Sequence, residues 1–125
     1  MKFLDSNVLA FAFYKNEYTG MCQNALREGG LVDVFNLIES FFIIERETGS
    51  REIAQRSIKN LLKSNIQIVD ADVNSLFEAL KRVNHLKLSI FDAVHYSCAV
   101  INGCSAIVSY DKDFDGLNIP REEPK

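Results

Sequence analysis

This sequence contains few cysteines and has no net positive charge. It has three cysteines, Cys22, Cys98 and Cys104, an odd number that lacks the close spacing of a metal site. We therefore expect reduced thiols in the core of a cytoplasmic protein. The formal net charge is −3, which argues against a broad basic surface that binds nucleic acid by neutralising phosphates alone. Any contact with nucleic acid should be local or mediated by a metal ion.

The sequence also lacks an uninterrupted apolar segment of membrane-spanning length. Residues 8–13 are too few for the apolar core of a signal peptide. Residues 93–110 carry no formal charge and reach the length that a transmembrane helix needs. However, Asn102 and Gly103 interrupt this segment, so we interpret it as a helix, a turn and a strand. We expect no membrane partner.

Short apolar segments alternate along the chain with longer segments of helical periodicity. We predict strands at 3–4, 31–34, 66–69 and 106–109, and helices that start near residue 8, span 17–28 and 35–46, and follow Ser50, Asp72 and Ser89. This alternation predicts an α/β fold with three layers, α/β/α, around a mostly parallel twisted sheet. Without repeats or a linker, residues 1–125 are expected to form a single domain.

Four of the predicted helices carry apolar residues that we expect to face the core. These residues are Ile38, Phe41 and Phe42; Ala54, Ile58, Leu61 and Leu62; Val73, Leu76, Phe77 and Leu80; and Phe91, Val94, Cys98 and Ile101. Asp72 and Ser89 are expected to cap the helices that follow them. After Asp111 we expect only short polar loops.

Two aspartates follow predicted strands. Asp5 comes directly after strand 3–4, and Asp111 comes after strand 106–109 with only Tyr110 between them. In open α/β sheets, ligands bind in the crevice outside the carboxyl ends of the strands. The alternatives are that Asp5 only caps the next helix and that Asp111 is an ordinary turn residue.

Two further acids lie in apolar surroundings, Glu39 within segment 37–44 and Asp92 within segment 90–94. Burying an unpaired carboxylate costs several kcal/mol, so such a group must be paired, neutralised or bound to a metal. Glu39 could instead point outward. Asp92 could instead complete a capping box with Ser89, three residues earlier.

Taken together, the four acids predict a metal site. Clustered carboxylates raise one another's pKa, so the group is unfavourable without a cation. Oxygen ligands select hard ions such as Mg²⁺ or Mn²⁺, and these ions promote phosphoryl chemistry by activating water. We therefore expect an ion of this kind to be bound by Asp5, Glu39, Asp92 and Asp111.

The order of these motifs resembles that of the PIN domain family. FLDSNVL (3–9) resembles the opening strand and Asp-Ser/Thr-Asn turn of the family, and NLIE (36–39) its glutamate helix. SIFDAVH (89–95) resembles its third motif, and IVSYDKDF (107–114) its fourth, a strand that runs into Ser/Thr-x-Asp-x-Asp-Phe. The resemblance extends in order over nearly the whole chain. Ser6 and Ser109 occupy two positions where threonine is common in the family. Either hydroxyl can donate the same hydrogen bond.

The resemblance implies a metal-dependent endoribonuclease, most similar to the VapC-type toxins of toxin–antitoxin pairs. The implied catalytic metal ligands are Asp5, Glu39, Asp92 and Asp111, and the implied supporting residues are Asn7, Ser109 and Asp113. Expected partners are an RNA substrate, an antitoxin that docks in a helical groove, and a second copy of the chain. His95 is expected to pack near the site or in the core.

Two other functions remain open. Residues 111–122 fit the pattern of an EF-hand calcium loop, but the strand before them and Pro120 within them argue against it. The other alternative is a PIN-like fold that only binds RNA or a protein partner. The sequence does not favour it, because all four acidic positions are filled.

Overall fold

A computed structural model describes residues 1–125. The strands are β1 Phe3–Leu4, β2 Leu31–Asp33, β3 Gln67–Val69, β4 Ile107–Val108 and β5 Arg121–Glu122. The helices are α1 Ser6–Phe11, α2 Thr19–Glu28, α3 Val34–Thr48, α4 Arg51–Leu62, α5 Val73–Arg82 and α6 Ile90–Ile101, and a short 3-10 helix spans Lys112–Phe114. No helix has the length and apolarity that crossing a bilayer requires.

All five strands pair in parallel in one sheet, in the order β3-β2-β1-β4-β5. The chain first adds β2 and β3 on one side of β1 and later adds β4 and β5 on the other side. The direction of strand addition therefore reverses between β1 and β4. Such a switch point is where open α/β sheets bind their ligands.

Helices cover both faces of the sheet. Successive strand residues point to opposite faces, so Phe3 and Leu31 belong to one buried cluster while Leu4 and Val32 belong to the other. The first cluster includes buried residues of α5 and α6, and the second includes residues of α1 to α4. The predicted α/β/α fold is confirmed.

Every predicted strand and helix is present, with ends shifted by two residues at most. Helix α2 starts two residues late, because the Asn16 side chain accepts a hydrogen bond from the Tyr18 N–H (2.8 Å) and holds a turn there. Asp72 caps α5, and Ser89 caps α6 by accepting the N–H of Asp92 at 3.1 Å, as predicted.

The segment after Asp111 is not only loop, because it contains a 3-10 helix and β5. Arg121 and Glu122 pair with Ile107 and Val108 at the edge of the sheet. Two polar residues show no strand periodicity, which explains why the sequence did not predict β5. An EF-hand needs a helix on each side of its loop, so this arrangement also contradicts the calcium-loop alternative.

The prediction that the apolar residues of α5 face the core is wrong. They are 45–82% exposed: Val73, Leu76, Phe77 and Leu80. Helix α5 packs instead with the face that carries Ser75 and Ala79, whose small side chains allow close approach. Periodicity thus identified an amphipathic helix correctly but not which face the rest of the chain covers.

The other three apolar sets are only partly buried, so the prediction that they face the core holds only for some of their members. Their exposed members are Ile38, Phe42, Leu62, Phe91 and Ile101. We call Ile38, Phe42 and Leu62 the α3–α4 surface. The exposed residues of α5, together with Ile90 and Phe91, are called the α5–α6 surface.

Candidate metal centre

Asp5 and Asp111 lie at the switch point, beyond the paired strands β1 and β4. Asp5 is the N-cap of α1, and its Oδ1 accepts the Ser6 N–H at 2.8 Å. The buried Ser109 hydroxyl donates to Asp5 Oδ2 at 2.6 Å and accepts the Asp111 N–H at 2.9 Å. A single hydroxyl therefore links the two aspartates. Asp5 does cap a helix, but this uses only one of its two oxygens.

Glu39 of α3 reaches the same end of the sheet. The Ser6 hydroxyl donates to Glu39 Oε1 at 2.7 Å, and Nε2 of His95 lies 2.5 Å from the same oxygen. The Glu39 side chain is 32% exposed. It is therefore paired through Oε1, while Oε2 takes no part in these two contacts.

The charges of the other three predicted ligands act on Asp92. The pKa of Asp92 is raised to about 6, first by burial and next by the charge of Asp5, with His95 opposing. Asp111 and Glu39 raise the pKa of Asp92 further. The negative charge of each of the other three acids therefore disfavours ionisation of Asp92.

The protein compensates these carboxylates unequally. Burial raises the pKa of Asp5, although the hydrogen bonds from Ser109 and Ser6 oppose this. Burial also acts to raise the pKa of Glu39, but the hydrogen bond and charge of His95 outweigh it, and the pKa is lowered. The charge of His95 thus outweighs burial at Glu39. It does not outweigh burial at Asp5 or Asp92, whose pKa values remain raised.

This set of donors fits a hard divalent cation, because all four groups are carboxylates and two have raised pKa values. No three His, Cys, Asp or Glu side chains surround a common point closely enough to hold an ion as they stand. The repulsion that raises the pKa of Asp92 also opposes closer approach of the carboxylates. A cation would remove that repulsion.

His95 of α6 is fully buried and connects Glu39 to Asp33. Its Nδ1 lies 2.6 Å from Asp33 Oδ2, and its Nε2 lies 2.5 Å from Glu39 Oε1. Burial lowers the pKa of His95, but the hydrogen bonds and charges of Asp33 and Glu39 outweigh this and raise it to about 10. At neutral pH the site therefore has a buried positive charge on one side.

The sequence model of the PIN domain family matches residues 2–119, a span that contains all four acids. This chain belongs to the PIN domain family. No curated protein sequence matches it significantly.

Three solved structures share the fold of this PIN domain. VapC20 of Mycobacterium tuberculosis, a toxin that cleaves the sarcin–ricin loop, matches with a TM-score of 0.85 at 15% identity, over 99% of this chain and 100% of that chain. A toxin–antitoxin complex from Klebsiella pneumoniae matches with a TM-score of 0.76 at 13% identity, over 100% of this chain and 98% of that chain. VapBC2 from Rickettsia felis, bound to a DNA fragment from its promoter, matches with a TM-score of 0.75 at 16% identity, over 99% of this chain and 98% of that chain. At these identities the likeness establishes the fold alone.

The three supporting residues predicted for this PIN domain differ in burial and in their contacts with the site. Ser109 is buried and contacts Asp5. Asn7 and Asp113 are exposed. Asp113 contacts the site through its backbone, whose N–H donates to Asp111 Oδ1 at 2.9 Å. The roles of the Asn7 and Asp113 side chains therefore stay predictions.

The sequence prediction omits Asp33 and Asn36, both fully buried in this PIN domain. Asp33 ends β2 and forms a capping box with Asn36: each backbone N–H donates to the other side chain, at 2.8 and 2.9 Å. An Asp at the end of a predicted strand with an amide three residues later could have indicated this cap. No pattern in the sequence indicates that the second Asp33 oxygen meets His95, which is 62 positions away.

Proposed function

We propose that this PIN domain is a Mg²⁺- or Mn²⁺-dependent endoribonuclease and the toxin component of a toxin–antitoxin pair. The observation that carries the proposal is the position of Asp5 and Asp111 at the switch point of the sheet, with Glu39 and Asp92 in the same electrostatic site. The similarity to VapC20, a toxin that cleaves the sarcin–ricin loop, supports RNA as the substrate class.

The proposed metal ligands, directly or through water, are Asp5, Glu39, Asp92 and Asp111. A divalent ion bound to them would supply an activated water and stabilise the negative charge that develops on the phosphate. Ser109 holds the Asp5 carboxylate and Ser6 holds the Glu39 carboxylate, so both are oriented by the fold itself. We propose that Asn7 and Asp113 orient ligands or bound water from the exposed side.

Neutralisation of the acids is also needed for the substrate to approach. Four carboxylates within one site repel the phosphates of RNA, and the protein as a whole carries a net charge of −3. His95 offsets part of this charge, but it is fully buried behind Glu39 and cannot contact RNA itself. The phosphodiester would therefore be held at the site through the cation.

We propose an antitoxin and a second copy of the chain as protein partners. The similarity to a toxin–antitoxin complex and to VapBC2 supports the antitoxin. The α3–α4 and α5–α6 surfaces expose large apolar side chains, which soluble proteins usually cover when they are grouped. Light scattering on the purified protein should give the mass of a dimer. A monomer throughout the micromolar range would contradict the proposed second copy.

The nuclease proposal is tested by incubating the purified protein with a sarcin–ricin loop RNA and with a single-stranded RNA. Each reaction is run with Mg²⁺, with Mn²⁺ and with EDTA, beside the variant Asp92→Asn. Asparagine keeps the shape of aspartate and removes its charge, so the fold should be retained.

We expect cleavage that requires the metal ion and that Asp92→Asn abolishes. Equal cleavage by both proteins would identify a contaminant. If neither protein cleaves either RNA, although the wild type binds the ion, the nuclease proposal gives way to a PIN domain that only binds RNA or a partner.

A further inference from the structure

Five residues form a closed hydrogen-bonded ring behind the candidate metal centre, and the backbone N–H groups of Asp33 and Asn36 complete it. Asp33 contacts His95, His95 contacts Glu39, Ser6 donates to Glu39, Asn36 donates to Ser6, and Asn36 and Asp33 cap each other. Residues of α1, β2, α3 and α6 take part in this ring. All except Glu39 are buried, with exposures of 0–5%. Glu39 is thus the only member that can reach a ligand from this ring.

The second oxygen of Asp33 has no function in capping. Oδ1 accepts the Asn36 N–H at 2.9 Å and so completes the cap of α3, whereas Oδ2 lies 2.6 Å from His95 Nδ1. Serine or asparagine could cap the helix about equally well. A fully buried aspartate at this position is therefore explained by its contact with His95 and not by the helix.

Both hydrogen bonds to Glu39 from this ring end on the same oxygen. Ser6 Oγ and His95 Nε2 lie 2.7 and 2.5 Å from Oε1. A carboxylate held by one oxygen from two directions loses its rotational freedom, while the other oxygen keeps its lone pairs. Oε2 is consequently the Glu39 oxygen that is available to a metal ion.

We propose that Asp33 and His95 are positioning residues: together with Ser6 and Asn36 they fix Glu39 through Oε1, so that Oε2 is presented to the metal ion. This inference rests on the proposed function, because it assigns the ring a purpose only if Glu39 is a ligand. Hydrogen-bond partners of metal ligands fix the orientation of the ligand, and their loss typically weakens metal binding by about 10–100-fold.

The test compares Asp33→Asn with Asp72→Asn. Asparagine at position 33 keeps the carbonyl oxygen that caps α3 but replaces Oδ2 by an amide, which cannot accept a hydrogen bond from His95. Asp72 caps α5 in the same way, by accepting the Ser75 N–H at 3.0 Å. The control therefore makes the same chemical change at a helix cap outside the ring.

Mn²⁺ affinity is measured by isothermal titration calorimetry on the full chain without RNA, so that the readout does not depend on cleavage. We expect Asp33→Asn to weaken binding by about 10-fold or more and Asp72→Asn to leave it unchanged. In a Glu39→Gln background, Asp33→Asn should have no further effect, because its contribution passes through Glu39. A ring with a merely structural role would lower stability without this dependence on Glu39.

His95→Gln provides the second variant in case Asp33→Asn fails to fold. Its amide can donate to Glu39 but cannot contact Asp33 at the same time, and we expect it to weaken Mn²⁺ binding in the same range. Unchanged affinity in a folded ring variant would overturn the positioning role alone, provided that Asp92→Asn abolishes binding. The same loss in the wild-type and Glu39→Gln backgrounds would also overturn it. A wild type that binds no Mn²⁺ would overturn the proposed metal site as well.

Discussion

The candidate metal centre and the outer face of α5 differ from the usual distribution of residues in opposite ways. At the metal centre, charged groups are buried: Asp33 and His95 are fully inaccessible, and Asp5 is 6% exposed. On α5, apolar groups are exposed: Val73 by 82% and Phe77 by 57%. Charged residues are rarely buried unless they are paired, and grouped apolar residues are rarely left exposed.

The two regions differ in whether the chain itself supplies the missing partner. The fold brings buried partners to the charged groups from distant positions, and no buried side-chain N or O atom lacks a hydrogen bond. The apolar side chains of α5 receive no such cover from the rest of the chain. The hydrogen-bond partners of the buried charged groups are thus supplied within one chain, whereas the chain supplies no cover for the apolar side chains of the α5–α6 surface.

The largest expected effect is on catalysis. We expect Asp5→Asn to lower the rate of RNA cleavage by about 1,000-fold, the upper end of what removal of one transition-state contact costs. The control is Asp70→Asn, because Asp70 directly follows β3 as Asp5 follows β1 but is exposed and lies at the edge of the sheet. Single-turnover cleavage should distinguish them. Equal rates for the two variants would remove the special role of the switch point.

A second prediction compares adjacent leucines that differ in burial. Leu61 is 3% exposed, and Leu62, on the α3–α4 surface, is 58% exposed. We expect Leu61→Ala to lower the free energy of unfolding by about 3 kcal/mol through the lost burial and the cavity. Leu62→Ala should change it by about 0.5 kcal/mol or less. Urea unfolding measures both, and a large loss for Leu62→Ala would mean that this surface is already covered.

The pH dependence of metal binding is expected to show a step near pH 6. The pKa of Asp92 is raised to about 6, so the carboxyl becomes neutral, and a weaker ligand, about two pH units above an ordinary aspartate. Below pH 6, Mn²⁺ affinity should fall by up to about tenfold per pH unit, and above pH 6 this contribution should level off. An affinity that stays constant from pH 5 to pH 7 contradicts the assignment of Asp92.

The smallest expected effect is on the stability of α5. Because Phe77 and Leu80 are more than half exposed, Phe77→Ser with Leu80→Ser should leave the free energy of unfolding within about 0.5 kcal/mol per site. The same double variant should lose the self-association that we expect light scattering to detect in the wild type. An unchanged dimer would exclude the α5–α6 surface as the contact.

Much of the fold could be predicted because periodicity and capping act locally. The strands before Asp5 and Asp111 and the caps at Asp72 and Ser89 depend on residues within a few positions of one another. Strand β5 could not be predicted, because two polar residues form a strand only by pairing with β4. The exposure of α5 likewise depends on which neighbour its small-residue face meets.

The candidate site was likewise predictable only where its features depend on residues close together in the sequence. Its four acids could be identified because each stands at a strand end or in an apolar segment, where an acid needs an explanation. Asp33 could not be assigned a role, because its cap is local but its contact with His95 joins β2 to α6. The proposed ligands are thus indicated by local sequence patterns, whereas part of the ring that holds Glu39 is not.

The most direct test of the metal centre is anomalous diffraction from crystals of the full chain soaked with Mn²⁺. We expect an anomalous peak between Asp5, Glu39, Asp92 and Asp111, with carboxylate oxygens, including Oε2 of Glu39, at about 2–2.5 Å or one water molecule further away. The peak should be absent from crystals of Asp92→Asn. No peak at these four residues in the wild type, under conditions in which Mn²⁺ supports RNA cleavage, would contradict the proposed metal centre.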